Sequence, residues 1–477
     1  MFQDVVIRGI GQHRGAPRLY LDMAEVERAM FTRGTAYRLE VDEVRSKITV
    51  LADEWGDRVV SGKETKTGVR PIIDISSRKV LGLFEGQSQV RLVFMAGRIH
   101  ILPLASALAQ QERLARLKGK LERGEALAVA SIAHGGGVMS HAVHAGAEDA
   151  GVALRQAVVN EIDGDLMETS RRNNKVWGPE TRGLNVPMQE LVQDAWVFDR
   201  LQRVDIVEGG IPCSGHSRQG TTKRKLEVPE AHPEVGHLVA PTLMLIQKMQ
   251  PAIVLIENVP GYQSSASAWI LRSMLRDMGY GTYEVVLDSH KFGALESRVR
   301  WFMVALTAGL TVDLEGLEPQ EAAGCQIAEI LDDISEDDPR WRTFDHLKVK
   351  EQRDREAGKG FKMQLVDAQD SKIGTLRKGY HKGGSVDPLL KHPTRNGLLR
   401  LLTGDEHSRC KQVPTELTKG LSDAEKHQML GQGVAYEVVR RLFERVITCV
   451  KNVCLGDAKQ DSGYPAAQPA YALRGVG

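Results

Sequence analysis

The central part of the sequence predicts an α/β fold, a mostly parallel sheet covered by helices on both faces, and two observations carry that expectation. Short apolar runs at 126–133, 157–160, 204–207, 252–257 and 283–287 alternate with helix-like stretches, which is the βαβ pattern. The chain of 477 residues, 42% hydrophobic and 26% charged, is also long enough for two or three units that each bury a core. In such sheets ligands bind beyond the carboxyl ends of the strands, so chemistry is expected just after each run.

Composition narrows the function classes. The 63 Lys and Arg balance 62 Asp and Glu to a net charge of +1, which excludes a histone-like or acidic-tail protein and confines any nucleic-acid surface to a local patch. The start, MFQDVVIRGIG, lacks the basic and then apolar pattern of a secretory signal. No apolar run reaches the roughly 18 residues of a membrane helix, so a cytoplasmic protein with no membrane partner is expected. Cys213, Cys325, Cys410, Cys449 and Cys454 are odd in number and scattered, which fits neither a disulfide framework nor paired zinc ligands.

Residues 18–51 and 70–102 align at an offset of 52 as two copies of one unit, with Arg18/Arg70, Asp22/Asp74, Gly34/Gly86 and Val41/Val93 in register. Each copy reads as a strand, a helical turn, a Gly and a hairpin of β-branched residues, so 1–103 is expected to be a β-rich tandem-repeat module. The pattern resembles the swapped-hairpin domains of bacterial transition-state regulators, which implies DNA binding; a small barrel for dimerisation or packing is the plainer reading. Leu104, Leu108, Leu114, Leu117 and Leu121 mark an amphipathic connector helix over 104–125, with Arg and Lys on its other face. The α/β domain follows over 126–306. Ten acids against one Arg over 307–340 then give way to fourteen Lys or Arg against seven acids over 342–400, a stretch able to meet polyanions. The segment 399–455 closes the α/β domain, and 456–477, without apolar periodicity, is expected to be a disordered tail.

Two strand ends carry the chemistry. The 204–207 run leads through Glu-Gly-Gly-Ile-Pro to Cys213, and a lone Cys in such a loop is more often structural than catalytic. The 252–257 run ends in Glu257-Asn258-Val259, which sets a carboxylate at the same crevice; a buried Glu at a strand end is otherwise costly. Farther on stand Phe292-Gly293, Glu296-Ser-Arg298-Val-Arg300, Arg400-Leu-Leu-Thr403-Gly-Asp-Glu406-His-Ser-Arg409 before Pro414, and Gly431-Gln-Gly-Val434.

In order and spacing these residues resemble the motifs of the cytosine-C5 DNA methyltransferases over about 127–450. They are similar to that family's Pro-Cys loop, Glu-Asn-Val, Gln-x-Arg-x-Arg, the segment after its target-recognition region, and Gly-Asn-x-Val. The resemblance implies a Rossmann-like, S-adenosylmethionine-dependent methyltransferase fold with a smaller target-recognition region at 307–398. It further implies methylation of carbon 5 of a cytosine flipped out of double-stranded DNA. Cys213 is then the nucleophile at carbon 6, a protonated Glu257 supports N3, and Arg298 and Arg300 hold the base and the acid.

For the cofactor, Gly135, Gly136 and Gly137 follow a strand and open a helix, as a loop that admits a bulky group must. Glu161 matches the acid with which the family binds both ribose hydroxyls, and Asp163 stands beside it. A further acid is expected for the adenine amino group, either Glu190 or Asp194. The family begins this loop Asp-x-Phe-x-Gly, whereas Ala130, Ile132 and His134 stand here. For DNA, Arg218, Lys223, Arg224 and Lys225 form a basic loop suited to clamping phosphates beside an extruded nucleotide. Lys359, Lys362, Arg377, Lys378, Tyr380, Lys382 and Lys391 are candidate phosphate or base contacts in the recognition region.

Other features have plainer readings. His134, His141 and His144 lack a further ligand, so no metal is expected. His216 stands too close to Cys213 for a thiol protease, and Cys449 and Cys454 read as packing residues. Two other functions stand beside DNA methylation: an impaired homologue that regulates by binding DNA, which the altered Gly loop favours, and a tRNA cytosine-5 methyltransferase.

Overall fold

The computed structural model describes residues 2–66, 68–212, 229–315, 317 and 325–456. The chain divides into two compact units, Met1–Gln111 and Glu112–Gly477, and each is described by itself.

The strands of the first unit are β1 (Asp4–Gly9), β2 (Gly11–His13), β3 (Ala16–Leu21), β4 (Ala36–Asp42), β5 (Lys47–Ala52), β6 (Arg58–Val59), β7 (Ser61–Thr65), β8 (Gly68–Ser76), β9 (Gln89–Met95) and β10 (Arg98–Leu102). One sheet runs β1-β9-β10-β5-β4-β6 and another β2-β3-β8-β7, with antiparallel pairings. Alternation builds the core: Val90, Leu92 and Phe94 of β9 and Ile99 and Ile101 of β10 turn inward against Leu19, Leu21, Ile73 and Ile75. Between β9 and β10 the chain reverses in two residues, Ala96 and Gly97, and Gly97 takes the φ of +71° that such a turn requires.

In the second unit β11 (Leu127–Ile132), β12 (Leu154–Asn160), β13 (Arg182–Leu184), β14 (Ile206–Gly210), β15 (Ile253–Asn258), β16 (Tyr280–Asp288) and β17 (Val299–Thr307) form a sheet in the order β13-β12-β11-β14-β15-β17-β16. Every residue of β11 is buried, as expected of a strand covered on both faces. The neighbours from β13 to β15 are parallel, whereas β17 is antiparallel to both β15 and β16. The 283–287 run lies in the edge strand β16, which follows helix Ala266–Asp277 and runs in the direction of β15 as the βαβ pattern predicts, but the antiparallel β17 is inserted between the two. The link from β16 to β17 holds only the short turn Ser289–Phe292, and a parallel neighbour needs a crossover.

Strand order reverses at β11, so the loops leaving β11 and β14 open at one switch point. Helices Val138–Asp149 and Tyr436–Leu455 share one core with the sheet, and Val239–Met249 and Ala266–Asp277 another. Gly146 permits the first pair to touch, since a Cβ there would lie 2.3 Å from the Arg440 carbonyl oxygen.

In helix Ala105–Arg123, Leu114, Leu117 and Leu121 pack on the first of these cores. The basic side opposite them is docked rather than solvated. Arg113 is fully buried and donates to Thr307 Oγ1 at 3.1 Å, Gln250 Oε1 at 2.7 Å and the Met278 carbonyl at 2.8 Å. Arg116 Nε and Lys120 Nζ meet the buried Asp205 carboxylate at 3.0 and 2.5 Å.

Beyond β17, helix Asp345–Glu356 and a small sheet of β18 (Leu365–Val366), β19 (Leu389–Lys391) and β20 (Leu399–Arg400) surround a core that includes Ile327, Ile373, Leu376 and Tyr380. In space many of these charges are drawn into ion pairs, one of which joins the acidic stretch to the basic one. Arg395 pairs with Asp337, Arg409 with Asp332, Arg377 with Asp387 at 2.7 Å and Lys391 with Asp367 at 2.9 Å. Among the described residues no helix is long and apolar enough to cross a membrane. The expected tail, from 457 onward, lies outside the described residues.

Candidate active site

The site forms where β14, β15 and β17 end side by side. Gly210 of β14 is in register with Glu257 of β15, and Glu257 with Phe302 of β17. Arg300 stands two residues before Phe302, on the same face, and reaches diagonally so that its Nε lies 2.9 Å from Glu257 Oε1. The two side chains are only 16% and 13% exposed. A Cβ at Gly210 would sit 3.2 Å from Glu257 Oε2, so the carboxyl lies against the strand that leads to Cys213. Asn258 is buried and donates Nδ2 to the Ile211 carbonyl at 3.0 Å, which ties the end of β15 to the start of the Pro-Cys loop. Cys213 itself, with His216, Arg218, Lys223, Arg224 and Lys225, lies outside the described residues.

Behind this pair is a cluster of buried charges. Arg298 precedes β17 and, at 4% exposure, donates Nη2 to the Gly431 carbonyl at 3.2 Å. Its Nη1 lies 3.5 Å from Oε1 of the fully buried Glu296, which also accepts the Leu376 N–H at 2.9 Å. Lys411, fully buried too, donates to the Gly433 carbonyl at 3.0 Å and to the Leu430 carbonyl, with Glu296 Oε2 at 3.8 Å. Two cations thus cap the carbonyls that end helix Asp423–Gln432. Burial, then the Arg298 guanidinium, pushes the Lys411 ammonium pKa down. Next to it Arg400 grips the buried Glu406 carboxylate with both terminal nitrogens, at 2.7 and 2.8 Å.

The other part of the site lies at the ends of β11 and β12. Glu161 is 7% exposed, and its carboxylate accepts the N–H of Gly135 at 2.5 Å and of Asp163 at 2.9 Å. Asp163 caps helix Gly164–Asn173 by accepting from Asp165 and Leu166 N–H. The glycines of the loop are needed by the protein itself: a Cβ at Gly136 would lie 2.3 Å from Met429 Cε, and at Gly137, where φ is +80°, 2.5 Å from Ser170 Oγ. The residue just past β13 is Asn185, and its side chain donates to the Glu161 carbonyl at 2.8 Å and the Ile162 carbonyl at 3.1 Å. Glu190 lies exposed in the next helix, Met188–Leu191, and Asp194 caps helix Ala195–Phe198.

His134 fills the start of the loop and is held in a chain of hydrogen bonds. Trp177 Nε1 donates to Ser170 Oγ at 3.1 Å, which leaves the Ser170 hydroxyl hydrogen for His134 Nε2 at 2.8 Å. His134 Nδ1 lies 2.8 Å from Ser131 Oγ, and Glu208 is the register neighbour of Ser131 across β11 and β14. Burial pushes the Glu208 carboxyl up to about 7 and the His134 imidazole down to about 3.

The family described as C-5 cytosine-specific DNA methylase has a model that matches residues 136–448. The chain belongs to this family. The type II methyltransferase M.NlaX of Neisseria lactamica is 26% identical over 251 residues, 51% of this chain and 75% of that protein. The type II methyltransferase M.MspI of a Moraxella species is 26% identical over 253 residues, 52% and 57%. Among solved structures, the Dnmt2 methyltransferase of S. pombe superposes with a TM-score of 0.51 at 17% identity, covering 67% of this chain and 98% of that one. The methyltransferase EhMeth of Entamoeba histolytica gives 0.50 at 17% identity, over 70% and 100%. These two likenesses establish a shared methyltransferase fold.

In this C-5 cytosine methylase the expected DNA contacts divide. Lys378 and Lys382 are exposed. Arg377 is committed to Asp387, and Tyr380 is corrected from a base contact to a core residue: it is fully buried and donates its hydroxyl to the Pro388 carbonyl at 2.8 Å. Lys411, Asn185 and Glu208 escaped the sequence reading. Lys411 stood inside a quoted motif segment, but only folding sets it beside Glu296. Among the described residues no group of His, Cys, Asp or Glu is arranged to hold a metal.

Lys411→Met leaves the Glu296 charge buried with less compensation and is expected to cost about 3 kcal/mol in urea unfolding. Adding Glu296→Gln should recover much of that loss; strictly additive losses would show that the two groups are not coupled. Because the folded Glu208 carboxyl titrates near 7 instead of 4.5, its contribution is fully present below pH 4.5 and is lost as pH rises through 7. Glu208→Gln is therefore expected to gain on the parent by up to about 3 kcal/mol between pH 4.5 and 8. His134 and His144, held neutral down to about 3 and 4, favour the fold as pH rises to 6.5, but they do so in both proteins. Parallel stability curves for parent and variant would contradict this assignment.

Proposed function

We propose that the chain is a DNA cytosine-5 methyltransferase that acts on a cytosine flipped out of double-stranded DNA. The observation that carries the proposal is the Glu257–Arg300 pair, closed at 2.9 Å against Gly210, on the strand that runs into Cys213. A thiolate, a carboxyl and a guanidinium at adjoining strand ends are the groups needed to activate a pyrimidine ring.

Carbon 5 of cytosine is a weak nucleophile until the ring becomes enamine-like. The Cys213 thiolate adds to carbon 6, forming a C–S bond, while Glu257 gives its proton to N3 and neutralises the charge that builds there. Arg300 fixes the Glu257 carboxyl by its Nε and is anchored by its Nη1 on the Val299 carbonyl at 2.7 Å. Once carbon 5 carries the methyl group, loss of its remaining proton breaks the C–S bond, frees Cys213 and returns the N3 proton to Glu257.

The residues around β11 and β12 fit S-adenosylmethionine: a carboxylate, Glu161, for a diol, a Gly135–Gly137 loop at the switch point, and the carboxamide of Asn185 beside it for an amino group. When bound, that cofactor supplies an electrophilic methyl group. Glu161 keeps lone pairs beyond its two backbone bonds, and the Ser131–His134–Ser170 chain stiffens the loop in place of the family's acid and aromatic ring. Lys378 and Lys382 contribute positive charge for phosphates.

The type II relatives favour DNA as the substrate and a restriction-modification role. The closed Glu257–Arg300 pair counts against an impaired regulator. Incubation with methyl-labelled S-adenosylmethionine is expected to label duplex DNA, leave tRNA unlabelled, and give no transfer with Cys213→Ala. Label on tRNA alone overturns the DNA reading, undiminished transfer by Cys213→Ala overturns the mechanism, and transfer to neither substrate favours a binding protein. Bisulfite sequencing of DNA from expressing cells identifies the site.

A further inference from the structure

We propose that the edge strand β1 pairs with β1 of a second copy of this chain, joining two N-terminal sheets across a two-fold axis at Val6. Strand β1 ends its sheet and has β9 as its strand neighbour among the described residues. Hydrogen-bond parity shows which groups it leaves over. The two-residue turn makes Met95 and Arg98 the closing pair of the β9–β10 hairpin, so odd-numbered residues of β9 bond β10 and even-numbered ones turn to β1. The Ile10 N–H on the Ser88 carbonyl at 2.9 Å continues that alternation. Asp4, Val6 and Arg8, in register with Phe94, Leu92 and Val90, therefore bond β9, and the N–H and C=O groups of Val5 and Ile7 point away from the sheet.

The side chains repeat the message. Val5 and Ile7 are 49% and 51% exposed and Phe2 63% exposed, an apolar edge without the Lys or Pro that usually protects one. The sequence Asp4-Val-Val-Ile-Arg8 is self-complementary when antiparallel. Centred on Val6, Val5 meets Ile7 of the second copy and Asp4 meets Arg8. Only this parity brings the outward groups of Val5 and Ile7 together as hydrogen-bonded pairs and leaves Val6 as a non-hydrogen-bonded pair on the axis. Asp4 and Arg8 already touch Arg28 at 3.0 Å and Asp22 at 3.2 Å in partly exposed ion pairs, which cost little to share. The matched acid and base argue for a second copy rather than DNA, whose phosphates Asp4 would repel. A pairing of two six-residue strands is smaller than the about 1,600 Å² of a standard interface, so the dimer is expected to be reversible and concentration-dependent.

Sedimentation velocity on the full chain at rising concentration is expected to show monomer passing to dimer; a monomer throughout overturns the proposal. Ile7→Pro removes an outward N–H from each copy while sparing the β9 ladder, and should raise the dissociation constant by about tenfold or more. Should that variant lose its fold, the charge exchange decides: Asp4→Arg and Arg8→Asp alone weaken the dimer and together restore it. Val6→Cys should form a disulfide-linked dimer on oxidation, with Val44→Cys, 97% exposed, as a collision control. A dimer unaffected by these changes, or crosslinking no better at Val6 than at Val44, assigns the interface elsewhere and refutes the proposal.

Discussion

Glu296, Arg298 and Lys411 form a buried ionic knot on which the rest of the catalytic unit depends. It binds three segments remote in sequence: the turn into β17, helix Gly404–Cys410 with its continuation, and the end of helix Asp423–Gln432. Burying three charges is expensive, and removing one leaves the others poorly compensated, so such a cluster specifies one arrangement more than it adds stability. The arrangement specified here is the start of β17. With Arg298 held on Gly431 and Glu296 on Leu376, Arg300 emerges two residues later at the height of Glu257.

Most of this site was legible in the sequence because strand ends are. Glu257 follows an apolar run at the carboxyl end of a parallel strand, whereas Arg300 opens the antiparallel β17 and was carried by its motif, and Cys213 lies outside the described residues. The partners that aim those residues were not legible. Lys411 meets Glu296 only after helix Gly404–Cys410 returns to the sheet, and nothing near either residue announces the other. Asn185 was passed over because β13 has three residues and no apolar run, so the strand end it follows carried no signal and Glu190 drew attention instead. The antiparallel β17 between β15 and β16 was not legible, because apolar runs reveal burial and not direction. The acidic stretch meets the basic one in space through Asp337 and Arg395, a relation that net charge per segment cannot express.

The cofactor loop shows how a departure from a motif can be absorbed. His134 brings polar atoms into a region that Gly would leave empty, and buried polar atoms demand partners. Ser131 and Ser170 supply them, drawing strand β11 and helix Gly164–Asn173 into one chain of hydrogen bonds. The loop is thereby stiffened from beneath, while Glu161 on its open side remains available to a diol.

The most direct test is covalent trapping. Duplex DNA carrying 5-fluorocytosine, offered with S-adenosylmethionine, blocks the loss of a proton from carbon 5 and should leave the enzyme joined to carbon 6 through sulfur. A denaturation-resistant complex whose crosslinked peptide contains Cys213 is the result predicted. No complex at any duplex sequence methylated in cells, or a crosslink at another residue, would contradict the catalytic assignment.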